Sequence, residues 1–561
     1  MKSAATILAS LVSVAALAQE AVPCGSGSVA AFEPLRFARK AEGGKGDQSA
    51  FMQTRPLYMT ARNAGKPLLT NDWWTDALVS QWSGNLWSYP AKVRIGAGGV
   101  RVAFPKHWSD DGTEVRERSA LRVFASSTRP FTPEAALVDD WHDWDVEIVL
   151  ADGDRQIRTT LVHGSPFIWV ESRGVDLFIA ADAGEGGPLV EQRSQDDDGE
   201  IFAVGEDLYG VWRGGDGDRR WIAIGLLPSE DAYKSLAPYA SAIVRETRVD
   251  WHYDSAKAEV ATTWRVKAED LRGDSASPPA LQGFQPHHLK KTRQNFKCLD
   301  GLVWQTPRGP QRVAVGNDLE IVYPFSGILP YWPAPQVGKT DNAKAAPYDP
   351  VLFKTLVSDY AERGTFGHDT YWGGKGLLQM AFAMMAAREA GDDASFARAR
   401  NRLREVLVDW LTYRSGDESR FFAFVPKWGG LVGIHPSYDS ETFNDHHFHY
   451  GYFTYSGALL CLLDGDFAQQ YGPMLKLVAK DYANWERADP LFPFLRTFDP
   501  WAGHSFAGGM GDGNGNGQES SSEAMQGWGG LFLLGLALGD DAMTAAGAFG
   551  YAVESRGVAE Y

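Results

Sequence analysis

Two segments of the chain carry residue types suited to acid–base chemistry. The first is Thr442-Phe-Asn-Asp-His-His-Phe-His-Tyr-Gly-Tyr-Phe453. The second is Asp499-Pro-Trp-Ala-Gly-His-Ser-Phe506, followed by Gly511-Asp-Gly-Asn-Gly-Asn-Gly-Gln-Glu-Ser-Ser-Ser-Glu-Ala524. In the second segment a glycine- and asparagine-rich loop leads into an apolar, helix-like run. Glu519 and Glu523 stand four residues apart there, so on a helix they would share one face with Cβ atoms about 5–6 Å apart. Two carboxylates that close raise each other's proton affinity. The same residues also suit a plainer role, because acids favour helix N-termini and Ser-x-x-Glu is a capping box. Asp445 in the first segment lies among aromatic residues. That fits a general acid whose pKa is lifted by burial, and it fits equally an aspartate that merely starts a helix.

His446, His447 and His449 cluster beside Asp445 and Tyr450, and histidine with aspartate is a common metal-ligand set. Adjacent histidines on a helix point in different directions, however, and there is no H-E-x-x-H pattern. Hydrogen bonding to a polar ligand and orientation of neighbours are the better uses. Cleavage of a glycosidic bond needs two carboxyl groups, one protonated to serve the leaving oxygen and one to activate water or attack directly. Asp445 with Glu519 or Glu523 could form such a pair on separate loops, with aromatic rings to stack on sugar faces. No Ser-His-Asp arrangement, P-loop or G-x-G-x-x-G fingerprint competes.

The elements that must position these groups are bounded by the composition. The chain has 561 residues, 44% apolar and 22% charged, enough for about two to four domains with large cores. Mean hydropathy is −0.28 and no long apolar run follows the N-terminus, which argues against a polytopic membrane protein. A formal charge of −17 argues against a surface built for nucleic acid. The 20 Trp, 20 Tyr and 29 Phe are unusual, and sugar stacking would use them, although a large core with much β-structure would too. Met-Lys followed by an apolar run to Leu17 and Ala16-Leu17-Ala18 reads as a secretory signal peptide over 1–18. The expected product is exported, extracellular or periplasmic, without a membrane span once the signal is removed. Three cysteines, Cys24, Cys298 and Cys461, are too few for a disulfide framework, though one pair could form.

Residues 19–54 are small and polar and read as a flexible lead-in. From 55 to about 268 the texture is β, with strand-like runs at 100–104, 146–150, 167–170, 177–180 and 220–224 separated by Gly/Asp turns. This predicts a large antiparallel sandwich. Residues 269–350 are mixed and proline-rich and read as a small linker region. From 351 the period becomes helical, for example over 377–387, 395–414, 452–463 and 467–488. Helices alternating with aromatic, Gly-rich loops suggest a helical toroid whose loops gather into a cleft.

At these residues the sequence resembles glycoside hydrolase family 81, the endo-β-1,3-glucanases or laminarinases. The resemblance rests on Phe443-Asn-Asp-His-His-Phe-His-Tyr-Gly-Tyr-Phe453 and on Gly503-His-Ser-Phe with Gly517-Gln-Glu-Ser-Ser-Ser-Glu-Ala524. Thr70-Asn-Asp-Trp-Trp-Thr-Asp-Ala77, Leu86-Trp-Ser-Tyr-Pro90, His163-Gly-Ser-Pro-Phe167, Pro286-His-His-Leu289, Tyr371-Trp-Gly-Gly-Lys375 and Trp428-Gly-Gly430 agree in order. It implies a multidomain β plus α fold: an N-terminal β-sandwich (55–268), a small α/β linker domain (269–350) and a C-terminal (α/α)6 barrel (351–561). It also implies an inverting hydrolase of β-1,3-glucan that needs no metal or cofactor. Asp445 matches the general acid and one of the two glutamates the base. Glu519 is favoured as base, with Glu523 holding the water or orienting its neighbour. His449, Tyr450, Tyr452, Asp499, His504, Trp428, Tyr371 and Lys375 match positions expected to bind sugar or support the acid. Phe506 stands where the family usually has Trp, and Asp499-Pro-Trp501 replaces an Asp-Trp pair. The family pattern continues past the glutamate-rich motif, so the barrel is expected to be truncated at its C-terminal end.

The partner implied is β-1,3-glucan polysaccharide, met by a monomer, with no nucleic acid. Competing readings are a non-catalytic glucan-binding protein, a hydrolase of another β-glucan, and a metal-dependent hydrolase built on the histidine cluster.

Overall fold

The computed structural model describes residues 20–31, 55–108, 115–117, 119–126, 130–182, 190–195, 199–330, 348–417, 419–511, 513 and 515–561. The signal peptide expected over 1–18 lies outside the described residues, as does most of the lead-in. Part of that lead-in corrects the expectation. Glu20–Cys24 and Gly27–Ala31 form an antiparallel hairpin, and Gly27–Ala31 runs parallel to Phe421–Val425, which pairs with Gly430–Ile434. Val22, Cys24, Val29 and Ala30 are buried, so this N-terminal hairpin is part of the core of the helical body. Its composition looked loop-like because small residues are what fit between a sheet and the packed helix beneath: a Cβ on Gly25 or Gly27 would meet a backbone carbonyl at 2.5 or 2.3 Å.

The described residues of the first half are mainly β. An eight-stranded antiparallel sheet runs, in spatial order, from Val190–Gln195 through Gly199–Val204, Asp207–Gly214, Arg219–Leu227, Phe167–Arg173, Arg155–Val162 and Asp145–Asp152 to Ala136–Trp141. A five-stranded sheet contains Asp176–Asp182, Ala120–Ser126, Gly99–Ala103, Lys92–Gly96 and Leu86–Trp87. All five strand-like runs read from the sequence fall on these strands, with only Phe104 lying past the end of its own. The turn at Asp152↔Arg155 shows why: two residues join the strands, and Gly153 takes φ +67°, which the tight hairpin requires.

A four-stranded sheet follows, built on the long pair Ala242–Asp254 and Glu259–Asp270, with Asp318–Pro324 and Arg293–Gln294 added. A three-stranded sheet of Leu281–Phe284, Gly309–Val315 and Val303–Thr306 lies beside it in sequence. The boundary expected at 268/269 therefore falls inside a strand that residues from both sides build into one sheet. The proline-rich stretch that suggested a border only connects two of its neighbours. Two short helices, α1 (Ala232–Leu236) and α2 (Pro286–Leu289), decorate these sheets.

The helical body comprises α3 (Pro350–Arg363), α4 (Thr370–Glu389), α5 (Asp393–Trp410), α6 (His446–Cys461), α7 (Gly465–Ala483), α8 (Ser521–Leu538) and α9 (Asp541–Glu560). Helix α6 packs against α4, α7 and α8, and α9 packs on α8 and on Ala242–Asp254. Every residue of α6 except Tyr455 is buried, as expected of a helix that is apolar all round. Its crossing with α8 is a glycine contact: a Cβ on Gly451 would sit 2.8 Å from the Gly527 Cα. Asp349, Asp369, Asp392, Asp464 and Asp540 cap α3, α4, α5, α7 and α9 through their side chains. Helix α5 ends at Trp410 and α7 at Ala483, each earlier than the apolar periodicity suggested. No helix among the described residues is long and apolar enough to cross a membrane. All three cysteines are free thiols.

Candidate active site

Asp445 is the N-cap residue of α6, yet its carboxyl does not cap. Its backbone does the anchoring: the Asp445 amide donates to the Ala507 carbonyl (2.9 Å), and its own carbonyl accepts from Phe448 and His449. The carboxyl is left turned away from the helix. Its Oδ1 is buried without a partner, and Oδ2 accepts one hydrogen bond, from Asn444 Nδ2 at 2.9 Å. Burial first, then the charges of Glu519, Glu523 and Asp439, push the Asp445 pKa up to about 7. The loop that delivers Asp445 is strained. Tyr438, Asp439, Phe443 and Asp445 all take positive φ, between +53° and +67°, at a cost of order 1–3 kcal/mol each.

The two glutamates do not share a helix face as their spacing suggested. Glu519 lies in the loop before α8, exposed, with φ +63°; Ser520 is the N-cap, and Glu523 sits in the first turn. Glu523 is surrounded by donors. Tyr452 Oη and Tyr371 Oη (3.1 Å) donate to its Oε1, and the Lys375 ammonium stands 3.3 Å away. Lys375 also donates to Tyr371 Oη at 2.5 Å. Burial would raise the Glu523 pKa, but Tyr452, Ser520, Lys375 and Tyr371 together outweigh it and hold the carboxyl below its ordinary value. Glu519 has no side-chain hydrogen bond among the described residues, so its lone pairs remain available.

The loops that carry Asp445 and Glu519 are joined through one residue. Ala507 accepts from the Asp445 amide and donates to the Gly517 carbonyl (2.7 Å), two residues ahead of Glu519. Asn71, from the N-terminal β-rich body, grips the same place. Its Nδ2 lies 2.9 Å from the Phe443 carbonyl and 3.2 Å from those of Phe506 and Ala507. Arg496, fully buried, reaches back from the helical body to Leu68 O (3.2 Å) and Thr70 Oγ1 (3.0 Å). Asn71 and Arg496 were not singled out from sequence. Asn71 lies within the Thr70-Asn-Asp stretch, but nothing local shows that it serves loops more than 370 residues away.

Of the eight residues expected to bind sugar or support the acid, Tyr371, Tyr452 and Lys375 meet at Glu523. Tyr371 is also the centre of an aromatic group. Trp372 and Tyr438, both about half exposed, stand nearly edge-on to it with centroids at 5.2 and 4.9 Å. Neither was chosen from sequence. His449 is fully buried beside this group. Its Nδ1 pairs with Thr370 Oγ1 at 2.7 Å, and burial, then His446, His447 and Lys375, lower its pKa well below the usual value, so it is neutral. His504 is half-buried against Phe506, and burial followed by the Arg308 charge pushes its pKa down to about 3.

The other three are corrected by their surroundings. Tyr450 is wholly buried, its hydroxyl accepting from the Gly433 amide (2.9 Å) and donating to Leu431 O (3.2 Å). Trp428 is wholly buried against Phe443. Asp499 is wholly buried 2.6 Å from His163 Nδ1 of the β-rich body, with the Ala502 amide on its other oxygen. These side chains build the body that carries the site and are not open to solvent. The histidine cluster also disperses: His446 Nδ1 pairs with Asp481 (2.6 Å), His447 packs on Phe448 and His449 turns to Thr370. Among the described residues no three His, Cys, Asp or Glu side chains converge to hold a metal ion.

Residues 349–561 match the sequence pattern of the glycosyl hydrolase family 81 C-terminal domain. The chain is 31% identical over 519 residues to a glucan endo-1,3-beta-D-glucosidase of Thermobifida fusca, covering 88% of this chain and 66% of that protein. The chain belongs to glycoside hydrolase family 81. A second family relative, the glucan endo-1,3-beta-D-glucosidase of Acetivibrio thermocellus, is 30% identical over 545 residues, covering 90% of this chain and 66% of its own length. The chain thus spans 66% of the length of each of these curated relatives. Among solved structures, a family 81 glycoside hydrolase from Clostridium thermocellum, determined as a glutamate-to-alanine mutant, superimposes with a TM-score of 0.82 at 26% identity, covering 97% of this chain and 74% of that one.

Proposed function

We propose that this family 81 chain is an exported, endo-acting β-1,3-glucan hydrolase that works with inversion. The carrying observation is the division of labour among three electrostatically coupled carboxyls: Asp445 holds its proton to about pH 7, while donors keep Glu523 ionised. Asp445 is the general acid and gives its proton to the glycosidic oxygen as the bond from that oxygen to the anomeric carbon breaks. Glu519 is the base. It takes a proton from a water that attacks the anomeric carbon from the opposite face, and the product is the α-anomer. Glu523 already has three donors on one oxygen, which makes it a poor proton acceptor and a good fixed anion. It orients its neighbours and stabilises positive charge developing on the sugar. Trp372 and Tyr438 offer open ring faces beside Tyr371 for stacking. For this pairing the acid and base carboxyls are expected about 6.5–9.5 Å apart, with room for the water.

The overall architecture that accompanies this reading is a sandwich formed by the two large sheets, the small β-rich linker body, and helices α3–α9 arranged as part of an (α/α)6 barrel.

The test is a reducing-sugar assay on laminarin, lichenan and carboxymethylcellulose, with the first laminarin product followed by NMR. Laminarin is expected to be cleaved internally with the α-anomer appearing first. Initial β-anomer overturns inversion, and preference for either other polymer overturns the substrate.

A further inference from the structure

A general acid must keep its carboxyl in a fixed orientation to serve a leaving group. The two oxygens of Asp445 are not equivalent. Oδ2 accepts from Asn444 Nδ2, whereas Oδ1 is buried with no partner. The orientation of the Asn444 amide is fixed by its second contact: Nδ2 also lies 2.8 Å from the Tyr438 carbonyl oxygen, which can only accept. The amide NH2 must therefore point toward both acceptors, and one of its hydrogens meets Oδ2. A neutral carboxyl has one carbonyl-like and one hydroxyl oxygen, and the carbonyl-like oxygen is the stronger acceptor. Donation from Asn444 makes Oδ2 that oxygen and so fixes how the carboxyl is turned.

We propose that Asn444 is the positioning residue of the general acid: its donation to Oδ2 fixes how the Asp445 carboxyl is turned and locks it to the loop that carries the exposed ring of Tyr438. The inference rests on the assignment of Asp445 as acid in a β-1,3-glucanase. Asn444 itself is half-buried, and its other tie to the fold is a backbone bridge with Gly508, which any side chain can keep.

The chemistry supplies a discriminating readout. A leaving group that departs unaided, such as 2,4-dinitrophenolate, needs no proton from Asp445, whereas the sugar alkoxide of laminarin does. For Asn444→Ala, kcat on laminarin is expected to fall about 10- to 100-fold, while kcat on 2,4-dinitrophenyl β-laminaritrioside changes less than about threefold. The alkaline limb of the laminarin profile is expected to move to higher pH, because a donor to the ionised carboxylate has been removed. Asn444→Asp, which cannot donate when ionised and adds a like charge, should show the same split and a larger upward displacement. Equal loss on both substrates means a role in folding or in the base half of the reaction and overturns the proposal. No loss on laminarin overturns it too. If the unmodified protein cleaves neither substrate, the hydrolase reading itself falls, an outcome distinct from either of these.

Discussion

Asp445 and Glu523 are near enough for the charge of one to raise the proton affinity of the other, and the fold treats them in opposite ways. The acid receives a single hydrogen bond from a neutral amide, is buried, and faces other carboxylates. The glutamate is also partly buried, yet two phenols and an ammonium converge on one of its oxygens. Burial acts in the same direction on both. What separates them is the donor count, which decides whether the desolvated group keeps or loses its proton. Coupled carboxyls can thus be a protonated acid and an anion at the same pH through their donors rather than their separation alone.

Removing the acid breaks the comparison most severely. Asp445→Asn is expected to lower laminarin turnover about 10³-fold while leaving the dinitrophenyl substrate much less affected, measured as kcat on each. Replacing the base comes next. Glu519→Ala should lose about 10²- to 10³-fold, and added azide should restore turnover by entering from the vacated side to give an α-glucosyl azide. If azide rescues Glu523→Ala instead, the roles of the two glutamates are exchanged.

Smaller changes sharpen the contrast. Tyr452→Phe removes a donor from Glu523, so this carboxyl should hold its proton to higher pH and the acidic limb of kcat/KM should move up. Turnover is expected to drop about tenfold. Asn71→Ala leaves three backbone carbonyls of the catalytic loops without their shared donor. Urea unfolding should register about 1–3 kcal/mol of lost stability, and turnover should fall with it, although Asn71 touches no carboxyl. The smallest effect is one of stability against pH. Folded Asp445 binds its proton more tightly than the unfolded chain does. Its contribution is therefore full below the ordinary carboxylate range and is lost as pH rises through about 7. Relative to the parent protein, Asp445→Asn should melt about 2 °C higher at pH 8 than the difference seen at pH 4.

The two halves of the molecule differ in how openly their sequences declared them. Strands such as Asp145–Asp152 and Phe167–Arg173 were legible because short β-branched and aromatic runs bounded by Gly/Asp turns are local signals. Helices α4 to α8 were legible from their apolar period, with ends misplaced by a few residues. The hairpin Glu20–Cys24 with Gly27–Ala31 was not legible. It is a strand pair only because Phe421–Val425 is there to accept it, and its small residues read locally as loop. The same distinction runs through the site. Tyr371, Lys375 and Tyr452 stood in motifs and do meet Glu523. Tyr450, Trp428 and Asp499 stood in equally distinctive motifs and are wholly buried. A conspicuous motif marks a crowded environment, and a core contact crowds a residue as much as a substrate does.

The sequence by itself determined which carboxyls are present, their order, the aromatic supply around them, and the change from period two to a helical period that divides the chain. Only the tertiary structure decided what each carboxyl is. It places Glu519 in a left-handed loop position and Glu523 inside a helix, though four residues separate them. It withholds donors from Asp445 and gathers them on Glu523. It brings Asn71 across more than 370 residues to hold the segments next to Asp445 and ahead of Glu519. The physical reason is that proton affinity is set by desolvation and by donors within a few ångströms, and those neighbours come from segments that only folding brings together.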